Sequence, residues 1–190
     1  MSAASFEYEF HGKRLRFQTS ALLFSPKAVD RGTKAMLDSV EIKPDDGVLD
    51  LGCGYGIVGI AAATIVGPEN VVLADVDPLA ISVSRANAVR NGFPHIAIHV
   101  SDGFRELAES GFTKILSNPP YHTDYAVAKH FILKGFNRLQ LGGELIFVVK
   151  RPNWYQQKLR SVFGGCRAVT RDGYTVLIAE RRSDSYAKKR

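Results

Sequence analysis

Five short apolar runs, at residues 48–51, 71–75, 96–100, 112–117 and 144–150, alternate with stretches of helical character, and this rhythm leaves the chain few ways to fold. Strands separated by helices pair in parallel, because each crossover returns the chain to the same end of the sheet. Such strands are covered on both faces and read as continuous apolar runs, as Val71-Val72-Leu73-Ala74 does. Helices are expected over 57–66, from an Asp77-Pro78 cap to about Asn91 where Gly92 supplies the stop, briefly near 104–109, over 124–140 as far as Gly142-Gly143, and over 152–163. Residues 166–170 and 174–180 read as two further strands joined by a turn at Arg171-Asp172-Gly173. The expected fold class is α/β, a doubly wound, mostly parallel seven-stranded sheet with an antiparallel strand at one edge.

Ahead of this series, Phe6-Glu7-Tyr8-Glu9-Phe10 and Lys13-Arg14-Leu15-Arg16-Phe17 flank His11-Gly12 and predict an N-terminal β-hairpin. In that register Glu7 faces Arg16 and Glu9 faces Arg14, while Phe6, Tyr8, Leu15 and Phe17 share the other side. Cross-strand ion pairing accounts for those two arginines before any polyanion is invoked. Ser25-Pro26 resembles an N-cap with proline in the first turn, and Val29, Thr33, Met36, Leu37 and Val40 recur at helical spacing, predicting a helix over 26–40.

With 190 residues and 45% hydrophobic content, the chain can bury one good core, and a single domain over residues 1–180 is expected. No apolar run approaches the ~18 residues of a membrane span, and the first residues lack a basic-then-apolar leader pattern. A cytoplasmic protein without membrane partners is the default. Cys53 and Cys166 stand far apart, with no Cys-x-x-Cys or Cys/His cluster, so neither a disulfide framework nor a metal is expected. Residues 181–190 carry five bases and one acid, +4 of the +6 formal charge, and read as a disordered basic tail.

Ligands on doubly wound sheets bind beyond the carboxyl ends of the strands, and the polar residues gather there. Asp50 and Gly52-Cys53-Gly54-Tyr55-Gly56 follow the first run, Asp75 ends the second, Asp102 follows the third and Asn118 ends the fourth. A dinucleotide loop wants Gly or Ala at its sixth position, and counting from Gly52 that residue is Ile57, which weakens a nicotinamide reading. Asp75 is placed to accept from both hydroxyls of a ribose, and Asp102-Gly103 to receive an adenine amino group. The result is an adenosine-shaped site with no evident phosphate contact.

Asn118-Pro119-Pro120-Tyr121 describes the other half. A residue before proline is pushed toward extended geometry, and two prolines withhold both backbone N–H groups. The Asn118 side-chain oxygen and the Pro119 carbonyl remain as acceptors suited to the two hydrogens of an exocyclic amine, with Tyr121 able to stack on the ring that bears it. His122 is the one neighbouring candidate base, and Lys150-Arg151 could meet a phosphate. Trp154 and Tyr155 read as packing residues.

Taken in order and spacing, Asp50-Leu-Gly-Cys-Gly-Tyr-Gly56, Asp75-Val-Asp-Pro78, Ser101-Asp-Gly103 and Asn118-Pro-Pro-Tyr121 resemble the class I S-adenosylmethionine-dependent methyltransferases. The upstream stretch from Phe24 to Thr33 and the ending Val148-Val-Lys150 resemble the small-domain branch, which includes bacterial guanine-N2 methyltransferases of 16S and 23S ribosomal RNA. The resemblance implies a Rossmann-like methyltransferase fold and S-adenosyl-L-methionine as cofactor. It implies that Asp50, Gly52, Cys53 and Gly54 line the methionine moiety, that Asp75 and Val76 meet the ribose side, and that Asp102 and Gly103 meet the adenine. Asn118, Pro119 and Tyr121 would hold the acceptor. The implied partner is RNA, ribosomal RNA first, and the implied product an N2-methylated guanine. Adenine N6, a glutamine amide and a non-catalytic cofactor-binding RNA module remain as alternatives. Ribosomal members of the branch carry an extra amino-terminal domain and commonly have Phe where this chain has Tyr121.

Overall fold

The computed structural model describes residues 4–23, 28–119 and 125–187. Among the described residues nine strands and five α-helices follow in order: β1 (Ala4–Phe10), β2 (Lys13–Thr19), α1 (Arg31–Leu37), β3 (Val48–Leu51), α2 (Ile57–Val66), β4 (Val71–Asp75), α3 (Pro78–Arg90), β5 (Ala97–Val100), β6 (Phe112–Ser117), α4 (Ala126–Arg138), β7 (Leu139–Val149), α5 (Pro152–Phe163), β8 (Arg167–Arg171) and β9 (Tyr174–Glu180). β5, β4, β3, β6 and β7 pair in parallel, and β9 then β8 add antiparallel strands at one edge, giving the order β5-β4-β3-β6-β7-β9-β8. This is the expected seven-stranded, doubly wound sheet. The order reverses between β3 and β6, which opens a crevice at their carboxyl ends.

Two apolar clusters lie on the two faces. One gathers Met36, Ile60, Ala61, Leu73 and Val148 with residues of α1, α2, α3 and the hairpin; the other gathers Leu49, Ile115, Ile132, Phe136, Leu145 and Leu159 with α4 and α5. All four residues of β3 are buried, including Asp50. A run of this kind has no polar face to turn to water, so helices must cover both sides.

The hairpin register is the expected one, Glu7 opposite Arg16 and Glu9 opposite Arg14. His11 and Gly12 both take positive φ, 47° and 73°, as the twist of a two-residue hairpin requires. Its outer edge is satisfied by side chains instead of another strand. Asn87 of α3, fully buried, accepts from Gln18 N–H and donates to the Gln18 carbonyl, and Asn91 does the same for Arg16. Asn87 also donates to the Tyr55 carbonyl, tying the hairpin to the glycine loop.

Several boundaries differ from the sequence reading. The helix expected over 26–40 is shorter, with Asp30 as its cap, accepting from Thr33 N–H at 3.0 Å. The proposed Ser25-Pro26 start lies outside the described residues. The short helix expected over 104–109 is a turn followed by irregular chain, fixed by the buried Ser101 hydroxyl, which donates to the Gly103 carbonyl and accepts from Glu106 N–H. Gly142-Gly143, read as a helix stop, lies inside β7. There Gly142 N–H and the Gly143 carbonyl pair with Arg181, and a Cβ at Gly143 would stand 2.7 Å from the Phe112 carbonyl oxygen. The tail expected to be disordered from 181 is seated as far as Ala187. Tyr186 packs edge-on against Phe136 at 4.9 Å and donates to the Leu133 carbonyl, while Ala187 N–H bonds to the Val162 carbonyl. One aromatic ring outweighs the local charge in deciding that stretch.

Candidate active site at the carboxyl ends of the strands

A cleft of about 530 Å³ opens where β3, β4 and β6 end and where β5 leads into the 101–107 turn. Its lining includes Asp50, Gly52, Cys53, Gly54, Asp75, Val76, Asp102, Gly103, Asn118 and Pro119. Ten of the residues singled out in the sequence therefore meet in one cavity. Tyr121 and His122 lie outside the described residues.

The glycine loop forms the floor. Gly52 and Cys53 N–H groups both donate to the Ala74 carbonyl, and Gly56 N–H closes a turn onto the Cys53 carbonyl. Gly52 and Gly54 take φ of 76° and 56°, and a Cβ at either would meet no heavy atom within 4 Å among the described residues. The loop thus presents bare backbone to open space, as close approach of a ligand demands. The close helix–strand approach that a third loop glycine often provides comes from Gly59 in α2: a Cβ there would stand 2.5 Å from Leu73 Cδ1. Counting from Gly52 misses it.

Two carboxylates brace this loop from opposite ends. Asp75 Oδ2 accepts from Gly54 N–H at 2.8 Å and Oδ1 from Asp77 N–H at 3.0 Å. Asp50 Oδ2 accepts from Gly59 N–H at 2.8 Å, in the first turn of α2. Burial lifts the Asp50 carboxyl to about 7, nearby Asp75 adds to the rise, and the Gly59 amide opposes it. A cationic group placed beside this pair would favour ionised Asp50, so the chemistry of the donor set suits a positively charged ligand. Burial also pushes the Cys53 thiol well up, which keeps it protonated and leaves it a packing residue.

At the far end Asp102 is exposed and paired with Arg105 at 2.8 Å, one helical turn's spacing away. Gly103, at φ 64°, lies so close to α4 that a Cβ would stand 2.8 Å from His130. His130 Nε2 is buried with no hydrogen-bond partner among the described residues. Burial holds its pKa below the ordinary histidine value, and Lys134 and Arg105 add to the shift against Asp102. Val76, 64% exposed, stands at the rim.

Asn118 closes the cleft. Its Nδ2 donates to Asp30 Oδ2 at 3.0 Å and to Thr33 Oγ1 at 3.2 Å, across 88 and 85 residues of chain. The adjoining Ser117 hydroxyl donates to the Leu51 carbonyl at 2.7 Å, locking the end of β6 to the end of β3. Pro119 is buried beside it. Asp30 and Thr33 are site residues that sequence reasoning missed. A capping Asp three residues before a Thr was the available signal, but it was masked by the stronger-looking Ser25-Pro26.

A seven-stranded sheet of this order, with a bare glycine loop after its first central strand and an acid ending the next, is the fold of the class I methyltransferases that use S-adenosyl-L-methionine. The chain belongs to the methyltransferase small domain family, whose sequence model matches residues 14–178. It is 29% identical over 183 residues to the uncharacterized protein YbxB of Bacillus subtilis (strain 168), covering 93% of this chain and 91% of that one. It is 32% identical over 164 residues to the ribosomal RNA small subunit methyltransferase C of Pseudomonas syringae pv. tomato, covering 84% of this chain and 49% of the relative. Among solved structures, the 16S rRNA N2 methyltransferase RsmC of T. thermophilus, in complex with AdoMet and guanosine, superposes with a TM-score of 0.83 at 26% identity, over 94% of this chain and 50% of that one. The chain thus spans about half the length of the ribosomal RNA methyltransferases it matches.

Proposed function

We propose that this chain transfers a methyl group from S-adenosyl-L-methionine to the exocyclic amine of a nucleobase, guanine N2 in ribosomal RNA. The observation that carries the reading is Asn118, held by Asp30 and Thr33 at the end of β6, in the same cleft as the glycine loop. The ribosomal RNA activity of the relatives named above supports the choice of substrate.

When bound, the cofactor supplies an electrophilic methyl group on a sulfonium. Asp50, Gly52, Cys53 and Gly54 hold its methionine end, Asp75 and Val76 the ribose side, and Asp102 with Gly103 the adenine. Bonds from Asn118 Nδ2 to Asp30 and Thr33 hold its amide, which supports its oxygen and the Pro119 carbonyl as acceptors for the two hydrogens of the substrate amine; Tyr121 is the residue proposed to stack on the base. An aromatic amine is a poor nucleophile because its lone pair is delocalised into the ring. Acceptors set off the ring plane favour a pyramidal nitrogen and concentrate that lone pair, so the gain is one of orientation and electrostatics. The nitrogen becomes cationic on transfer and loses its proton to water; no covalent nucleophile is required.

The test uses tritium-labelled cofactor with ribosomal RNA, tRNA, DNA and protein from a strain lacking the gene. Label is expected in ribosomal RNA, and nuclease digestion should place it in N2-methylguanosine. Label in N6-methyladenosine would overturn the base, and label confined to protein would overturn the nucleic-acid substrate.

A further inference from the structure

The proposed reaction needs one base in the cleft, and the rim beside it carries groups that the reaction does not use. β7 runs parallel to β6 with Ser117 opposite Phe147. Lys150 and Arg151, which follow the last residue of β7, therefore stand past the level of Asn118, on the same edge of the sheet. Both are exposed, and among the described residues neither pairs with a carboxylate. The Lys150 ammonium lies 5.2 Å from the centroid of the Tyr174 ring, which belongs to the cluster on the α1 face.

An aromatic stack follows Arg151, which caps α5. Trp154 in the first turn of α5 lies face to face with Tyr125, the rings 4.3 Å apart and 18° from parallel. Tyr155 meets both rings edge-on and itself packs against Phe147 of the core, so the stack rests on a rigid base. Burial, with Tyr125 close by, pushes the Tyr155 phenol up to about 12, which keeps that base neutral. Tyr125 is different. It is 37% exposed, and its backbone sits in the left-handed region at φ 54°, ψ 3°, immediately before α4. That conformation is disfavoured for a bulky side chain and is found where surrounding structure enforces it, often at ligand-binding segments. A residue serving only to pack α4 against α5 would bury its ring on relaxed backbone, as Tyr155 does.

We propose that Tyr125 and Trp154 form a stacking platform for a nucleotide flanking the methylated base in single-stranded RNA, with Arg151 meeting its phosphate. The proposal rests on the nucleobase reading given above and adds to it the state of the substrate. Aromatic faces with unpaired cations alongside are the combination that unpaired strands take, since each base offers a π-face and each linkage a charge. An A-form duplex keeps its bases stacked internally and offers the platform nothing.

Trp154 is the chain's single tryptophan, so its fluorescence reads the platform directly. A short single-stranded oligoribonucleotide with a central guanosine should quench it saturably, and replacing the flanking nucleotides by abasic ones should weaken binding about ten-fold. Tyr125→Asn tolerates the left-handed backbone while removing the ring; it should show the same loss with cofactor affinity by calorimetry unchanged. Arg151→Ala should reduce the slope of log affinity against log salt by about 0.7. Equal binding of intact and abasic-flanked strands, equal quenching by duplex RNA or by a peptide, or an unchanged salt slope would each overturn the platform. These readouts need no turnover: absence of methyl transfer with flank-dependent quenching defeats the reaction assigned above, and transfer indifferent to the flanks defeats the platform alone.

Discussion

At the glycine loop the cleft wall is backbone, braced by carboxylates from adjoining strands, whereas at Asn118 it is one side chain held by two others from a distant helix. Gly54 and Gly59 N–H groups reach Asp75 and Asp50 within 21 and 9 residues. Asn118 reaches Asp30 and Thr33 across more than 80. The first arrangement is rigid by local geometry and indifferent to the substrate. The second depends on α1 docking correctly. On the proposed reading, a cofactor half built locally and an acceptor half built at long range meet in one cleft.

Breaking the acceptor half alone should give the largest effect. Asn118→Ala is expected to lower kcat by about 10³-fold, on the scale of losing a preorganised polar group at a reacting centre, while S-adenosyl-L-methionine affinity by calorimetry stays within a few-fold. Unchanged turnover would remove Asn118 from the reaction. Breaking the cofactor half comes next. Asp75→Asn retains an acceptor for Gly54 N–H but loses the charge, and cofactor affinity should fall by about 10- to 100-fold with the melting temperature little altered. Thr33→Val sharpens the comparison by removing a bond that orients Asn118: kcat should fall by about ten-fold, and a loss of cofactor affinity instead would mean the halves are coupled.

A further test concerns pH. The folded chain keeps the Asp50 proton to about pH 7, against a usual 3.8, so the native state binds more protons than the unfolded state between those values. Stability from this group therefore falls as pH rises through that window. Asp50→Asn should flatten the slope, measured by urea unfolding at about pH 5 and about pH 8. Cofactor affinity should rise with pH across the upper part of the same window in the native chain and lose that dependence in the variant.

The elements that carry the proposed cofactor half were legible in the sequence because their determinants are short. A strand ending in an acid, a loop with glycines at alternate positions and an Asp-Pro cap each declare themselves within a few residues, and the structure puts β3, β4 and α3 where they were expected. The hairpin was legible for the same reason, its turn and charge register being local. The acceptor half was only partly so. The Asn118 motif was visible, but Asp30 and Thr33 join it through a helix whose start was placed too early, and no local pattern announces a partner more than 80 residues away. The 104–109 stretch misled because Phe104 and Leu107 have helical spacing while the Ser101 hydroxyl holds the chain in a turn. Gly142-Gly143 misled because a glycine that ends a helix and one that lets two strands pass closely look alike in sequence.

The Asn87 side chain has a further meaning. A two-stranded ribbon is marginal by itself in water, and β1–β2 shares no strand with the main sheet. Its permanence is borrowed from the core that buries Phe10, Leu15 and Phe17 and from the amides of Asn87 and Asn91 along its edge, and Asn87 also grips the carbonyl of Tyr55. The ribbon is therefore a gauge of the glycine loop: whatever stiffens that loop is felt at the Gln18 amide, and slower solvent exchange there would register an occupied cleft from outside it.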